Sequence, residues 1–531
     1  MSEQGTAARL AADIGFSLPE RYNASDLIYD HLGSRGESPA VICDSGTWSY
    51  RDLADEASRA GNALLALGCR PGDRVLLCLD DEPACPATIM GALRAGLVAV
   101  LVNTLSPPDL IRFFLEDSEA RVAVVSPAFA SLFTDETLRG TACRGVLLTG
   151  PEGGDHEGWG TVREASPELE RAPTTPDDMA FWMYSSGSTG KPKAVVHRHA
   201  DPAYTAASYA RHILHIREDD VCFSIPKIFF AYGFGNSITF PMSVGACSVL
   251  MTGRPEPAAV FEQIARHRPT ILFALPTLYT ALARSEVVAG ADLGSVRLCI
   301  SAAEILSEDV AKAWWDRFGH DIVEGLGSTE MLHIYLSNDD RMRKAGSAGR
   351  VVPGYAVKLT DVTGEKEVGP GEEGIMSVCG PSAAQQYWGR PDKTAETMRG
   401  EWTYTGDRFV RDSDGFYFFK GRADDLVKVS GQWVYPLEVE LALAEHPKVH
   451  ECCVQALPLP DQRMTLHAWV VPAVGMEPGE ALVKELQDYV KSALLPYKYP
   501  RRVEFLESLP KTGTGKIDRQ ALKNRAAGDA A

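Results

Sequence analysis

Residues 74–103 read RVLLCLDDEPACPATIMGALRAGLVAVLVN. RVLLCLDD (74–81) is an apolar run of strand length. ACPATIMGALRAG (84–96) spaces its apolar residues as a helix does and closes on glycine, and VAVLVN (98–103) is a second strand run. Strand, helix and strand in such close order form a βαβ unit, whose two strands must run parallel.

Working outward, a helix around DLIRFFLED (109–117) and a strand at VAVVS (122–126) continue the alternation. The rhythm returns at PAAVFEQIARHRP (257–269), TILFAL (270–275) and a helix from Pro276. Between them, the 151–178 segment (PEGGDHEGWG, then APTTPDD) is polar and rich in Gly and Pro, which predicts a surface connection with no core role. Near residue 400 the texture changes. EWTYTGDRFVRDSDGFYFFKGRADD reads as short strands and tight turns. After it come a strand at LVKVSG (426–431), a helix at PLEVELALAEH (436–446) and strands at HECCVQAL (450–457) and TLHAWVV (465–471). A last helix gathers Leu482, Val483, Leu486, Tyr489 and Val490 on one face. The predicted class is α/β: a large N-terminal domain of layered α/β subdomains, 1–422, followed by a small α+β domain, 423–531, with the boundary inside GRADD.

The 531 residues are 45% hydrophobic and 23% charged, which excludes wholesale disorder. The formal net charge of −18 leaves no global field for nucleic acid or an anionic membrane, so a polyanionic ligand needs local donors. No apolar run approaches the ~20 residues of a spanning helix, and the opening MSEQGTAARLAADIG does not read as a secretory signal. The eleven cysteines form no C-x-x-C pair, as expected of reduced thiols in a cytoplasmic protein.

Five motifs carry chemistry. Tyr184-Ser-Ser-Gly-Ser-Thr-Gly-Lys-Pro-Lys193 follows the apolar AFWM; its glycines allow tight turns that offer N–H groups to phosphate oxygens, with hydroxyls and lysines beside them. Its spacing is not that of a Walker loop. Leu326-Gly-Ser-Thr-Glu330 sets a Thr/Glu pair in a turn, oxygen donors of the kind Mg2+ shares with phosphates. Tyr404-Thr-Gly-Asp407 places one acid where it can accept from two ribose hydroxyls. Gly421-Arg422-Ala-Asp424 and the following Asp-Leu-Val-Lys428-Val-Ser-Gly431 lie at the boundary, and Pro510-Lys-Thr-Gly-Thr-Gly-Lys516 ends a glycine loop in a point charge. Each alone is commonly a solvated loop; all five in this order are not.

Together they resemble the adenylate-forming superfamily of acyl-CoA synthetases, luciferases and adenylation domains, over roughly residues 40–520. The resemblance implies that a carboxylate attacks the α-phosphate of ATP to give acyl-AMP and pyrophosphate, and that a thiol then displaces AMP. It also implies that the small C-terminal domain is mobile. Ser185, Ser186, Gly187, Ser188, Thr189, Gly190, Lys191 and Lys193 would cradle phosphates, and Thr189 and Glu330 would meet Mg2+. Ala302, Ala303, Glu304, Glu324, Gly325 and Leu326 would flank adenine, with Thr329 beside them; Asp407 and Arg422 would take the ribose. Asp424 would be the hinge and Lys516 the catalytic lysine of adenylation. Leu326 departs from the aromatic that many members carry, which removes a stacking partner for adenine.

Phe229-Phe-Ala-Tyr-Gly-Phe-Gly-Asn236 and Met331-Leu-His-Ile334 resemble the benzoate-CoA ligase branch. An aryl ring needs a flat apolar slot with few polar anchors, and Phe230, Ala231, Tyr232, Phe240, Ala303, Gly327, His333 and Ile334 are the residues expected to form it. Tyr232 and His333 would meet ring substituents. Val429-Ser-Gly-Gln-Trp-Val-Tyr-Pro436 resembles CoA ligases, putting Lys428, Gly431 and Trp433 on the CoA side. The expected partners are an aromatic carboxylate, ATP and coenzyme A. Loading of a carrier protein, a different small acid, or a nucleotide sensor without turnover are the alternatives, and the oligomeric state stays open to a homodimer.

Overall fold

The computed structural model describes residues 5–151, 156–185, 192–285, 291–304, 306–361, 364, 366–425, 427–429, 432–459, 464–511 and 517–528, without the side chains of 424, 428 and 433. The chain divides into two compact units: Met1–Val357 with Val378–Tyr404, and Lys358–Ser377 with Thr405–Ala531.

The first unit is built on two large sheets. In the seven-stranded sheet, Arg74–Cys78 lies between Val98–Leu101 and Val122–Val125, all parallel, with Val146–Leu148 beyond one side and Met179–Ser185 beyond the other. Lys193–Arg198 then returns antiparallel and Gln386–Tyr387 closes the edge. The nine-stranded sheet has a parallel centre of Pro39–Cys43, Cys247–Val249, Val221–Ser224, Ile271–Ala274, Leu298–Ser301 and Ile322–Gly327. Most of their residues are buried in succession, so these strands do not alternate apolar with polar as a half-exposed strand does. The predicted elements of 74–126 and 257–284 form where the sequence places them.

Two helices show why the layers pack closely. Tyr50–Ala66 begins with a capping box between Ser49 and Asp52 and crosses Ala84–Arg94 at a glycine pair. A Cβ on Gly91 would lie 2.2 Å from the Ala57 carbonyl oxygen, so only glycine allows that crossing. The 151–178 connection departs from its polar reading: Trp159 and Val162 are buried in the main core, and Trp159 Nε1 donates to Glu56 Oε1. One indole outweighs the surrounding glycines once a partner exists for its N–H.

In the second unit, Thr405–Arg411, within the strand Trp402–Arg411, pairs antiparallel with Tyr417–Arg422. A five-stranded sheet of Gln432–Val434, Val427–Val429, Met464–Pro472, Val449–Pro458 and Arg502–Phe505 packs against Pro436–Ala444 and Glu480–Ala493. Leu482, Leu486 and Val490 are the buried face of the latter helix, at the spacing the sequence shows. No described helix is long and apolar enough to cross a membrane, and no cysteine forms a disulfide.

Candidate active site

In open parallel sheets ligands bind beyond the carboxyl ends of the strands. The candidate residues of the first unit collect there. Phe230–Tyr232 follow Val221–Ser224, Ala302–Glu304 follow Leu298–Ser301, and Leu326 and Gly327 end the strand Ile322–Gly327, with Glu330 and His333 just beyond it and Ile334 opening the next strand. From the other sheet, Ser185 and Lys193 are a directly paired couple at the mouth of the hairpin whose loop carries the Ser/Gly/Lys motif. Ser186, Gly187, Ser188, Thr189, Gly190 and Lys191 lie outside the described residues.

Glu330 sits in a short 3-10 turn, Thr329–Met331, opened by Ser328 as its cap. The turn is held from several sides. The Ala384 amide donates to the Glu330 carbonyl at 2.8 Å, and Ser382 Oγ donates to the Met331 carbonyl at 2.9 Å. Tyr387 OH donates to Glu330 Oε1 at 2.7 Å, and Ser185 Oγ makes a longer 3.5 Å contact to the same oxygen. Lys193 Nζ lies 4.1 Å above the Tyr387 ring, so a cation stands one residue layer from the carboxylate. Neither Tyr387 nor His197, whose ring reaches the Thr329 carbonyl, has a local sequence signal. Both act across more than 50 residues.

The residues that the resemblance assigns to adenine have their own geometry. Ser301 and Glu324 are parallel neighbours. Glu324 Oε1 accepts from the Leu306 amide at 3.2 Å, and burial pushes its carboxyl up to about 7 against that bond. The Thr277 amide makes a 3.4 Å contact to Glu304 Oε2. Ala303 is exposed at φ 72°, a left-handed conformation that a non-glycine residue adopts only when its surroundings hold it there. Gly325 and Gly327 allow Ile334 and His333 to pass close: a Cβ on Gly327 would lie 2.5 Å from the His333 carbonyl oxygen.

His333 is ringed by aromatics, with centroids at 4.5 Å (Phe240), 5.3 Å (Tyr209) and 5.6 Å (Tyr232). Its Nε2 donates to the Tyr232 carbonyl at 3.3 Å, which leaves Nδ1 as the acceptor; that atom is buried and has no partner among the described residues. Burial pushes the imidazole down to about 3, so it is neutral at physiological pH. Tyr232 is a different case from the one the sequence predicts. Its hydroxyl donates to the Ile300 carbonyl at 3.2 Å, so the side chain is tied to the sheet and is not an uncommitted anchor. Phe230 and Ala231 pack at the edge of the main core. Tyr209, which no sequence motif marks, and Gly235, within the 229–236 segment, join this cluster from π-helical turns (Ala206–Leu214 and Gly235–Thr239).

In the second unit, Asp407 and Arg422 are cross-strand partners, with Arg422 Nη1 donating to Asp407 Oδ1 at 3.1 Å and to the Thr405 carbonyl at 3.2 Å. Lys428 and Trp433 also pair in register, and Asp424 lies in the turn Ala423–Asp425. Gly431 and Lys516 lie outside the described residues. No group of three or more His, Cys, Asp or Glu side chains suited to a metal occurs among the described residues. A single carboxylate such as Glu330 nevertheless fits Mg2+, which takes one or two carboxylates and completes its shell with phosphates and water.

The chain that carries the Glu330 turn and the aromatic cluster at the strand ends has close relatives. The AMP-binding enzyme family matches residues 29–388, and the AMP-binding enzyme C-terminal domain matches 438–516. The chain belongs to the AMP-binding enzyme family. It is 45% identical over 511 residues to benzoate–CoA ligase of Thauera aromatica, covering 96% of this chain and 97% of that one. It is 41% identical to the 4-hydroxybenzoate–CoA/benzoate–CoA ligase of Rhodopseudomonas palustris, covering 96% and 95%. A crystal structure of a benzoate CoA ligase from Burkholderia xenovorans LB400 superposes with a TM-score of 0.88 at 39% identity, covering 94% of this chain and all of that one.

Proposed function

We propose that the protein is an ATP-dependent aryl-CoA ligase, activating benzoate or a substituted benzoate as acyl-AMP and transferring it to coenzyme A. The observation that carries this reading is the His333 cluster: a neutral imidazole walled by Tyr209, Tyr232 and Phe240, close in sequence to the turn that bears Glu330. Full-length similarity to benzoate–CoA ligases supports it. A flat apolar site suits an arene, and an acceptor nitrogen suits a hydroxyl or amino substituent on it.

In the first half-reaction a carboxylate oxygen attacks the α-phosphorus of ATP and the bond to pyrophosphate breaks. Catalysis of such a transfer is positioning and charge compensation. Glu330 and Thr189 would hold Mg2+, which supplies positive charge at the phosphate oxygens. On this reading the 184–193 segment would receive the phosphates, Asp407 and Arg422 the ribose, and Lys516 would compensate the developing charge. In the second half-reaction the CoA sulfur attacks the acyl carbonyl, AMP leaves and the thiol proton passes to solvent. The 423–531 domain turns about Asp424 between the two, withdrawing Lys516 and presenting Lys428, Gly431 and Trp433 to CoA.

A pyrophosphate-release screen with and without CoA tests the reading. Benzoate, hydroxybenzoates and 2-aminobenzoate should be activated far better than cinnamate or octanoate, with thioester formed from free CoA. A larger specificity constant for octanoate than for every aryl acid overturns it.

A further inference from the structure

In the seven-stranded sheet the order reverses between Arg74–Cys78, whose chain leaves toward Val98–Leu101, and Val122–Val125, whose chain leaves toward Val146–Leu148. A crevice at such a point ordinarily takes a ligand. Here it takes protein. Asp80, Asp81 and Glu82 follow the first strand; the Asp80 amide donates to Ser126 Oγ, beyond the second, at 2.9 Å, and Glu82 Oε1 accepts from Thr149 Oγ1 at 2.7 Å. The cation arrives from the other sheet. Lys227 Nζ donates to Asp80 Oδ1 and to the Met251 carbonyl, both at 2.7 Å. The Ile228 amide donates to Asp81 Oδ1 at 3.1 Å, and the Gly253 amide to Asp80 Oδ2 at 2.7 Å.

These bonds grip the turn that starts the pocket helix. The Phe230 amide donates to the Lys227 carbonyl at 3.1 Å and the Phe234 amide to the Phe230 carbonyl at 2.8 Å. Gly233 lies directly over the same turn, so that a Cβ there would sit 2.1 Å from the Lys227 carbonyl oxygen and 2.4 Å from that of Pro226. A shift of Ile228 is therefore passed to Ala231–Phe234 without slack. That helix carries Tyr232, whose carbonyl orients His333.

We propose that Asp81 is a positioning residue for selection of the aromatic acid: its carboxyl holds the Ile228 amide, and the 227–230 turn transmits that placement to Tyr232 and His333. The inference rests on the aryl-acid reading above. Asp81 is 1% exposed, too deep to touch a substrate from solvent. Burial pushes it up to about 7 against Lys227 and the Ile228 amide, so asparagine keeps the acceptor while giving up a charge that is only partly formed.

Steady-state kinetics on the full chain, varying the aryl acid and ATP separately, test the proposal. Asp81→Ala should raise KM for the acid at least about tenfold while KM for ATP stays within about twofold, since misplacement by ~1 Å can cost far more than this. Asp81→Asn should restore the acid KM to within about threefold of wild type. Gly233→Ala, whose methyl presses on the Pro226 and Lys227 carbonyls of the same turn, should reproduce the acid-only defect and carries the test if Asp81→Ala does not fold. Equal shifts in both KM values, failure of Asp81→Asn to rescue, or an unaffected acid KM in Gly233→Ala overturns the assignment alone. A wild-type protein that activates no arenecarboxylate overturns the aryl reading and the assignment together.

Discussion

His197 stands between two acceptors, its Nε2 2.8 Å from the Thr329 carbonyl oxygen and its Nδ1 2.9 Å from Asp201 Oδ2. The ring thereby ties the strand Lys193–Arg198 of one sheet to the Glu330 turn that ends a strand of the other. His197→Phe should keep the stack on Phe181, whose centroid is 5.3 Å away, and lose both bonds. Asp201 stays paired with Arg198 when the ring is lost, so the cost is that of buried acceptors left short of a donor, about 1–3 kcal/mol, and denaturant unfolding should register it. Pyrophosphate release should fall by about tenfold or more as Glu330 loosens. A variant with wild-type rate and stability would show that the turn is held without the ring.

A methyl group should be enough to close the aromatic cluster. At Gly235 a Cβ would lie 2.3 Å from His333 Cδ2 and 3.0 Å from Phe240 Cζ. Gly235→Ala should weaken aryl-acid binding, most for ring-substituted acids, and cost about 1–3 kcal/mol of stability through overpacking. Titration calorimetry with ATP and with benzoate separates the effects, because ATP affinity should not change.

Acid should destabilise the protein through His333. Its folded pKa of about 3 lies below the 6.5 of an ordinary histidine, so between these values the unfolded chain binds the extra proton and stability falls as pH drops through that window. His333→Gln should flatten this part of the stability profile between pH 7 and pH 4. The same variant should change the ranking of hydroxy- and aminobenzoates against benzoate. An unchanged profile and an unchanged ranking would remove His333 from both roles.

Alkali should act through Glu324. Burial raises its carboxyl from 4.5 to about 7, so its contribution is fully present below 4.5 and is lost as pH rises through 7. Glu324→Gln keeps an acceptor for the Leu306 amide without the charge. It should gain on wild type between pH 5 and pH 8, by up to about 3 kcal/mol. Melting temperatures across that range decide the matter, and parallel curves would contradict it.

Lys516→Ala should cripple acyl-AMP formation by about 2–4 kcal/mol, the scale of losing one stabiliser of transition-state charge. Conversion of supplied benzoyl-AMP and CoA to thioester should stay near wild type. Asp424→Pro should do the reverse, because a fixed φ restricts the hinge. Equal loss of both half-reactions in Lys516→Ala would contradict alternation of the small domain.

The layered α/β architecture is legible from residues 74–126 because buried parallel strands must be apolar throughout and their helices must be amphipathic. The helix around Leu482, Leu486 and Val490 is legible for the same reason. Glu330 can be singled out from its turn, since Gly-Ser-Thr-Glu is a local pattern. Tyr387, His197 and Tyr209 cannot. Tyr387 and His197 gain their positions only where the two sheets meet, Tyr209 only where its helical turn packs on His333, and such a residue looks the same in sequence whether it braces a site or fills a core. Trp159 shows the converse error, in which local composition says surface and a distant carboxylate supplies the partner that makes burial favourable.

The Asp80–Lys227 and Asp81–Ile228 bonds also bear on how such pockets can be transplanted. A designer who moves only residues 225–244 into another scaffold takes Tyr232 and Phe240 and leaves the foundation, because the turn before them is bolted to Asp80 and Asp81 at the end of a strand of a separate sheet. The transferable unit is discontinuous: two segments about 150 positions apart that must be exchanged as one part.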